Sequence, residues 1–382
     1  MRVLIAHSFY RQPGGEDRYV DQQAQLLRTR HDCEVLARHN RDLPAGAATA
    51  RRMAYSSGER DKVLEVIDGF RPDVIHLHNA YPALGPAVHL AAARRKVPLV
   101  MTVHNFRLRC PNGYMFTEGA PCRRCERGAY INAVKHRCFP ERPQSISYAT
   151  DLWIHRFMLR LDRHVDLYLT PSRFMHDRML EWGFRQEAVR VLRNFTDFEP
   201  AQPTAGTYGM SVGRLSDEKG LDILVRALAE AGDPPFMIVG DGPARSELEA
   251  LASRLSLKRL EFLGRVQMER VLSLLREARF IAMPSVWDEN APLAALEAMA
   301  LGRPLLVSDR GGLPELVQNG EGVTCRASDI TGTASGIRRL MDDDELCRSC
   351  GARAGARAAR EFTPGVHLEG LENAYQLALA GS

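Results

Sequence analysis

The chain has 382 residues, 45% hydrophobic and 26% charged, with a formal net charge of +4. That length exceeds what one hydrophobic core fills, so two domains are expected. The small positive charge excludes a protein that grips polyanions by bulk electrostatics, while admitting an anionic ligand or a transient membrane contact. No run approaches the roughly 18 uninterrupted apolar residues of a membrane span. The opening "MRVLIAHSF" carries too short an apolar run for a signal peptide and reads as a first strand, so a cytoplasmic location with reduced cysteines is expected.

In chain order, "RVLIA" (2–6), "CEVLA" (33–37), "DVIHLH" (73–78), "PLVMTV" (98–103) and "DLYLT" (166–170) read as strands. Between the first two, Val20, Ala24 and Leu27 fall at helical spacing. Segment 104–150 breaks this rhythm and carries four of the eight cysteines. "NFTDFEPAQPTAGTYG" (194–209) has no periodicity and reads as a linker. "GMSVG" (209–213), "FMIVG" (236–240), "LEFLG" (260–264), "FIAMP" (280–284) and "PLLVS" (304–308) then repeat the design. The pattern predicts an α/β fold with two doubly wound, Rossmann-like domains, 1–195 and 205–364, and a last helix over 365–382. Neither domain has the G-x-G-x-x-G spacing that brings backbone to a pyrophosphate, which argues against a nicotinamide enzyme.

Three stretches carry chemistry. In "SVGRLSDEKG" (211–220) Gly213 turns the chain after a strand, and Arg214 and Lys219 can converge on one anion; the alternative is a solvated loop neutralised by Asp217 and Glu218. In "IVGDGPARSELE" (238–249) Gly240, Asp241 and Gly242 sit at a strand end, where a plain tight turn is the simpler reading. In "WDENAPLAALEAMALG" (287–302) Glu289 lies in a strand-to-helix loop and Glu297 inside the helix. A carboxylate at the helix start is explained by the helix dipole alone. Glu297, among Leu296, Met299 and Ala300, reads as buried and needs a partner, such as the hydroxyls of a sugar or ribose.

Together, "GRLSDEKG", "GDGP", "FLGRV" and the Glu289-x7-Glu297 pair resemble the C-terminal domain of the retaining glycosyltransferases of family 4, which have the GT-B fold. "GG" after the first strand and "TVHN" extend the resemblance over nearly the whole chain. It implies a nucleotide-sugar donor held by the second domain, a hydroxyl acceptor (glycan, glycolipid or natural product, lipid-linked in some members) held by the first, and no metal in catalysis. By the same resemblance Arg214 and Lys219 would grip the diphosphate, and the N–H groups around Asn290, Ala291 and Leu293 would add to that anion site. Glu297 would take ribose hydroxyls, Glu289 those of the donor sugar, and backbone near Arg265 and Val266 the base. Gly14 and Gly15 would let the first loop approach phosphates or acceptor, and His104 would touch the sugar from the first domain. The last helix would return to that domain. Where many members have glycine and an aromatic after the first glutamate, this chain has Asn290-Ala291-Pro292.

Cys110, Cys122, Cys125 and Cys138 form C-x11-C-x2-C-x12-C, a spacing that suits one tetrahedral structural zinc, with His136 as a spare ligand and free thiols as the alternative. Cys347 and Cys350 read as incidental helix residues. "DLWIHRFMLRLDRHVD" (151–166) is basic and amphipathic; its apolar residues read as core-facing, with a peripheral contact at the inner membrane face as the other reading. The rival functions are a nucleotide-sugar epimerase of the same fold, a sugar-binding protein without catalysis, and a zinc-stabilised nucleic-acid-binding protein. The last is disfavoured by the charge and by the lack of a basic aromatic face.

Overall fold

Two six-stranded, all-parallel sheets organise the chain in the computed structural model, which describes residues 1–12, 14–44, 46–199 and 206–381. The first sheet has the order β2-β1-β3-β4-β7-β8. Its strands are β1 (Arg2–Phe9), β2 (Asp32–His39), β3 (Val74–Leu77), β4 (Leu99–Thr102), β7 (Leu167–Thr170) and β8 (Val189–Val191). Two-residue strands β5 (Phe116–Thr117) and β6 (Ala120–Pro121) lie in the segment that breaks the rhythm. The second sheet has the order β11-β10-β9-β12-β13-β14, with β9 (Tyr208–Val212), β10 (Phe236–Val239), β11 (Leu260–Gly264), β12 (Ala278–Met283), β13 (Leu305–Ser308) and β14 (Gly322–Cys325). Each sheet is doubly wound, because its first strand is central and later strands are added on either side.

Chain contacts divide the molecule into two compact units. One comprises Met1–Thr117, Cys122–Arg193 and the residues from His367 onward; the other comprises Asn194–Val366 with Glu118–Pro121. Of the stretch read as a linker, residues 200–205 lie outside the described residues. The helix Pro364–Ala380 buries Leu368, Leu371 and Tyr375, and its His367 Nδ1 meets the Arg193 carbonyl at 2.8 Å. In the second unit the core lies on both faces of the sheet. Met210, Ile281 and Val307 pack with Leu296 and Met299 on one side, and Phe236, Phe280 and Leu306 pack with Leu224 and Ile337 on the other. Such two-sided burial is why these strands read as continuous apolar runs rather than alternating ones.

The stretch over 151–166 differs from its core-facing reading. The helix Arg142–Trp153 runs into a π-helical turn at Ile154–Met158, where Leu159 N–H reaches back to the Ile154 carbonyl at 2.9 Å. That wider turn rotates the following side chains. Leu152 and Leu161 are buried as read, but Trp153, Phe157 and Met158 are exposed, and His155 takes the inner position. Its Nδ1 meets the Tyr81 hydroxyl at 2.5 Å.

Candidate active site

In the second unit, β9 and β12 are neighbours at the point where the strand order reverses, and open α/β sheets place ligands beyond the carboxyl ends of such strands. After β9 the chain turns at Gly213, whose φ is +152°. It then forms a short 3-10 turn over Asp217–Lys219 before the helix Leu221–Glu230. After β12 the loop runs through Pro284 and Trp287 to Pro292, which caps the helix Leu293–Ala300. The loops are joined by Val286 N–H donating to the Glu218 carbonyl at 3.0 Å. Gly213, Arg214, Lys219 and Glu289 thereby line one pocket, together with Ser285 and Ala294.

Glu289 is 7% exposed. Burial by itself would raise its pKa, but the Lys219 ammonium, the Ser285 hydroxyl donating at 2.8 Å and Trp287 outweigh that and hold the carboxyl below its ordinary range. Lys219 pairs directly with Glu289 Oε1, and its Nζ also sits 5.3 Å from the centre of the Trp287 ring. The loop reading of Arg214 and Lys219 as neutralised by Asp217 and Glu218 therefore fails for Lys219, whose partner comes from the next strand end. Glu297 is buried in its helix, 5% exposed, as its apolar neighbours imply.

The other expected residues divide. Asn290 is buried, and the Ala291 carbonyl accepts from Asn194 Nδ2 at 3.1 Å. Gly240 and Gly242 serve the close approach of two loops. A Cβ at Gly240 would lie 1.8 Å from the Gly213 carbonyl oxygen, and one at Gly242 would lie 2.2 Å from that of Leu215. Asp241 accepts from the Gly242 N–H at 2.8 Å, as a plain turn would have it. None of these three lines the pocket, nor do Arg265 and Val266; Arg265 is exposed, while Val266 packs against the core. Sequence reasoning missed Ser285, Trp287 and Asn194, because a hydroxyl, an indole and an amide in a loop carry no periodicity.

In the first unit, Gly14 is the cap of the helix Gly15–Arg28, and its N–H donates to Asp17 Oδ2 at 3.0 Å. A Cβ there would meet nothing within 4 Å, so neither crowding nor backbone angle requires glycine. Asp17 Oδ1 also lies 2.9 Å from His7 Nε2. His104 follows β4 and is partly exposed, with its ring stacked 5.2 Å from that of His78. Burial, with a smaller contribution from His7, lowers the His104 pKa to about 3, so the ring is neutral near pH 7.

Cys110, Cys122, Cys125 and Cys138 line one cavity of the first unit with His136, and all four are free thiols. Burial pushes Cys110 up, against backbone N–H groups of Met115, Asn112 and Gly113 that favour its thiolate. Burial and the other three thiols push Cys125 to about 12. Among the described residues no group of three or more His, Cys, Asp or Glu side chains is arranged to hold a metal ion as it stands. Three of the four sulfurs have other partners: Cys110 has Asn112 Oδ1, Cys125 the Ala129 carbonyl and Cys138 Thr117 Oγ1. Cys347 and Cys350 are buried in the helix Asp344–Glu361.

Comparison with known proteins agrees with this architecture. Residues 13–200 match the family described as Glycosyltransferase Family 4, and residues 193–357 match Glycosyl transferases group 1. The chain is 31% identical over 334 residues to a glycogen synthase of Mycobacterium tuberculosis, covering 84% of this chain and 71% of that protein. It is 37% identical over 331 residues to a D-inositol 3-phosphate glycosyltransferase of Nocardia farcinica, covering 80% of this chain and 67% of the relative. The solved structure of Anabaena HepE in complex with UDP and glucose is similar in fold, with a TM-score of 0.71 at 20% identity over 98% of each chain. Among the described residues no helix is long and apolar enough to cross a membrane. With two doubly wound parallel sheets and matches to both halves, the chain is a glycosyltransferase with the GT-B fold, its first half belonging to Glycosyltransferase Family 4 and its second to Glycosyl transferases group 1.

Proposed function

We propose that the second unit holds the diphosphate of a nucleotide sugar, and that the sugar passes, with retention of anomeric configuration, to a hydroxyl-bearing acceptor held by the first unit. The observation that carries this reading is the pocket beyond β9 and β12, where Arg214, Lys219 and an ionised, buried Glu289 share a wall. HepE, similar in fold, was solved with UDP and glucose, and a Corynebacterium relative is named for GDP-mannose and a glycolipid acceptor.

Arg214 and Lys219 offset the charge that gathers on the departing diphosphate, aided by the N–H groups around Asn290, Ala291 and Leu293. Glu289, held as a carboxylate, has no proton to give and so accepts hydroxyls of the donor sugar. Glu297 takes the ribose, backbone near Arg265 and Val266 takes the base, and His104 meets the sugar. The bond from the anomeric carbon to the phosphate oxygen breaks, and the acceptor oxygen bonds to that carbon on the same face. The acceptor proton leaves on the phosphate. No metal ion takes part in this scheme.

Thermal unfolding against UDP, GDP, dTDP and ADP tests the reading. One nucleotide at a hundred times its Kd should stabilise by about 2.7 kcal/mol, and Arg214→Ala or Glu297→Ala should abolish the gain relative to each variant's own baseline. No shift with any nucleotide overturns it.

The same proposal includes one structural zinc on Cys110, Cys122, Cys125 and Cys138. The shared cavity and the N–H groups aimed at the Cys110 sulfur support it. Binding would draw Cys110 and Cys138 from Asn112 and Thr117. One zinc per purified chain, with a fall in Tm on chelation, is expected. Metal-free protein with four titratable thiols and an unchanged Tm overturns it. Exposed Trp153, Phe157 and Met158 support a peripheral membrane contact, which co-sedimentation with anionic vesicles tests.

A further inference from the structure

Under the first sheet's carboxyl edge three histidine rings lie one against the next. His76 stacks on His78 at 4.3 Å between ring centres, and His78 stacks on His104 at 5.2 Å. Their hydrogen bonds form a single chain. The buried Tyr375 hydroxyl meets His76 Nδ1 at 2.8 Å, and His76 Nε2 meets Thr102 Oγ1 at 2.7 Å. Gln23 Nε2 lies 3.1 Å from His76 Nδ1 and 3.2 Å from His78 Nε2. His78 Nδ1 lies 2.9 Å from His104 Nε2.

A neutral imidazole has one donor and one acceptor nitrogen, so fixing one atom fixes the row. Gln23 Nε2 faces His76 Nδ1 and His78 Nε2 together, and an amide N–H2 only donates, so both ring nitrogens accept and the Tyr375 hydroxyl donates to His76 Nδ1 as well. The second proton of that amide goes to His78 Nε2, leaving the His78 proton on Nδ1, from which it is donated to His104 Nε2. Turning the carboxamide over would let its oxygen accept from both rings, but would leave two amide N–H donors buried where one oxygen now lacks a partner. The orientation described leaves Gln23 Oε1 buried without a partner, a single acceptor in this row of side chains.

We propose that Gln23 is a positioning residue which, with Tyr375 and through His78, locks His104 as the Nδ1–H tautomer with Nε2 as acceptor. With its proton on Nδ1, His104 can donate a hydrogen bond from that atom and has no basic nitrogen to offer there. Any catalytic use of that proton rests on the proposed role of His104 at the donor sugar, whereas the tautomer itself does not.

The experiment is 15N-edited NMR of histidine-labelled full-length protein, with the His104 signals assigned by loss in His104→Gln. The expected wild-type pattern has a protonated Nδ1 and an unprotonated Nε2 on His104. In Gln23→Glu, whose carboxylate only accepts, the proton should move to Nε2. With a nucleotide-sugar donor and acceptor, that variant should lose kcat on the order of 100-fold with little change in donor KM. A wild-type His104 protonated at Nε2, or at both nitrogens, overturns the proposal. So does an unmoved pattern in folded Gln23→Glu. If Gln23→Glu does not fold, Tyr375→Phe replaces it and should give mixed tautomers; a pattern unchanged from wild type there also overturns the relay. The expected NMR pattern without turnover on any donor would uphold the tautomer lock and sink the transferase chemistry assigned to His104.

Discussion

Glu289 and Lys219 illustrate how a site residue is set by its partner. The glutamate is buried, yet stays ionised because an ammonium, a hydroxyl and Trp287 surround it. Lys219→Met removes the cation while the carboxylate stays buried, at a cost of about 1–3 kcal/mol in urea unfolding. Adding Glu289→Gln should recover part of that loss, because the two side chains interact directly. A double variant as unstable as the sum of the singles would mean that the pair is not coupled. Arg214 and Lys219 were legible because a glycine, two bases and a helix follow an apolar strand in order. Their pairing was not, since Glu289 is 70 residues further on and nothing local distinguishes it from Asp217 or Glu218.

At the scale of elements, the pocket depends on how closely loops approach. Gly311 has a φ of +60°, and a Cβ there would lie 1.9 Å from the Glu289 carbonyl oxygen. Gly311→Ala therefore forces the β12 loop to shift, costing at least the roughly 1–3 kcal/mol of a strained backbone position. It should also erase any nucleotide-induced thermal shift. Gly14→Ala, with an ordinary φ and open space around it, should cost no more than about 1 kcal/mol, the difference between glycine and alanine at a cap. Equal effects in calorimetry would refute the crowding argument. The central strands were legible in both sheets as apolar runs buried on two faces. The edge strands Val189–Val191 and Gly322–Cys325 were not, because a short strand paired on one side needs few apolar residues.

Across the whole molecule the histidines are unevenly spread: all 12 belong to the first unit. Burial, before any charge effect, lowers His76, His89 and His104 to about 3, and His155 and His367 to about 4. These rings fold neutral, whereas the unfolded chain takes up protons below its ordinary histidine pKa of roughly 6.5. Stability is therefore lost as pH falls through 6.5 and continues to fall to the folded values, by about 2 kcal/mol per histidine at pH 5. His78, also lowered by burial, adds to this, while Asp151, raised by burial to about 7 against the pull of Arg107, opposes it together with Glu16 and Asp21, which burial also raises. Hydrogen exchange at pH 7 and pH 5 should show the first unit losing protection while the second changes little. Equal loss in both would defeat the prediction.

By itself the sequence determined the class of fold, the order of the central strands along the chain, and which loops carry glycine, bases and carboxylates. Periodicity and turn chemistry are local, so these features are written in adjacent residues. Only the tertiary structure decided that Lys219 meets Glu289, that Gly240 is needed by a neighbouring loop, and that Phe157 lies outside the core. It alone joined Gln23, His78 and Tyr375 into one chain of hydrogen bonds ending on His104. Those outcomes come from contacts between residues far apart in the chain, whose geometry is set by packing rather than by any local pattern.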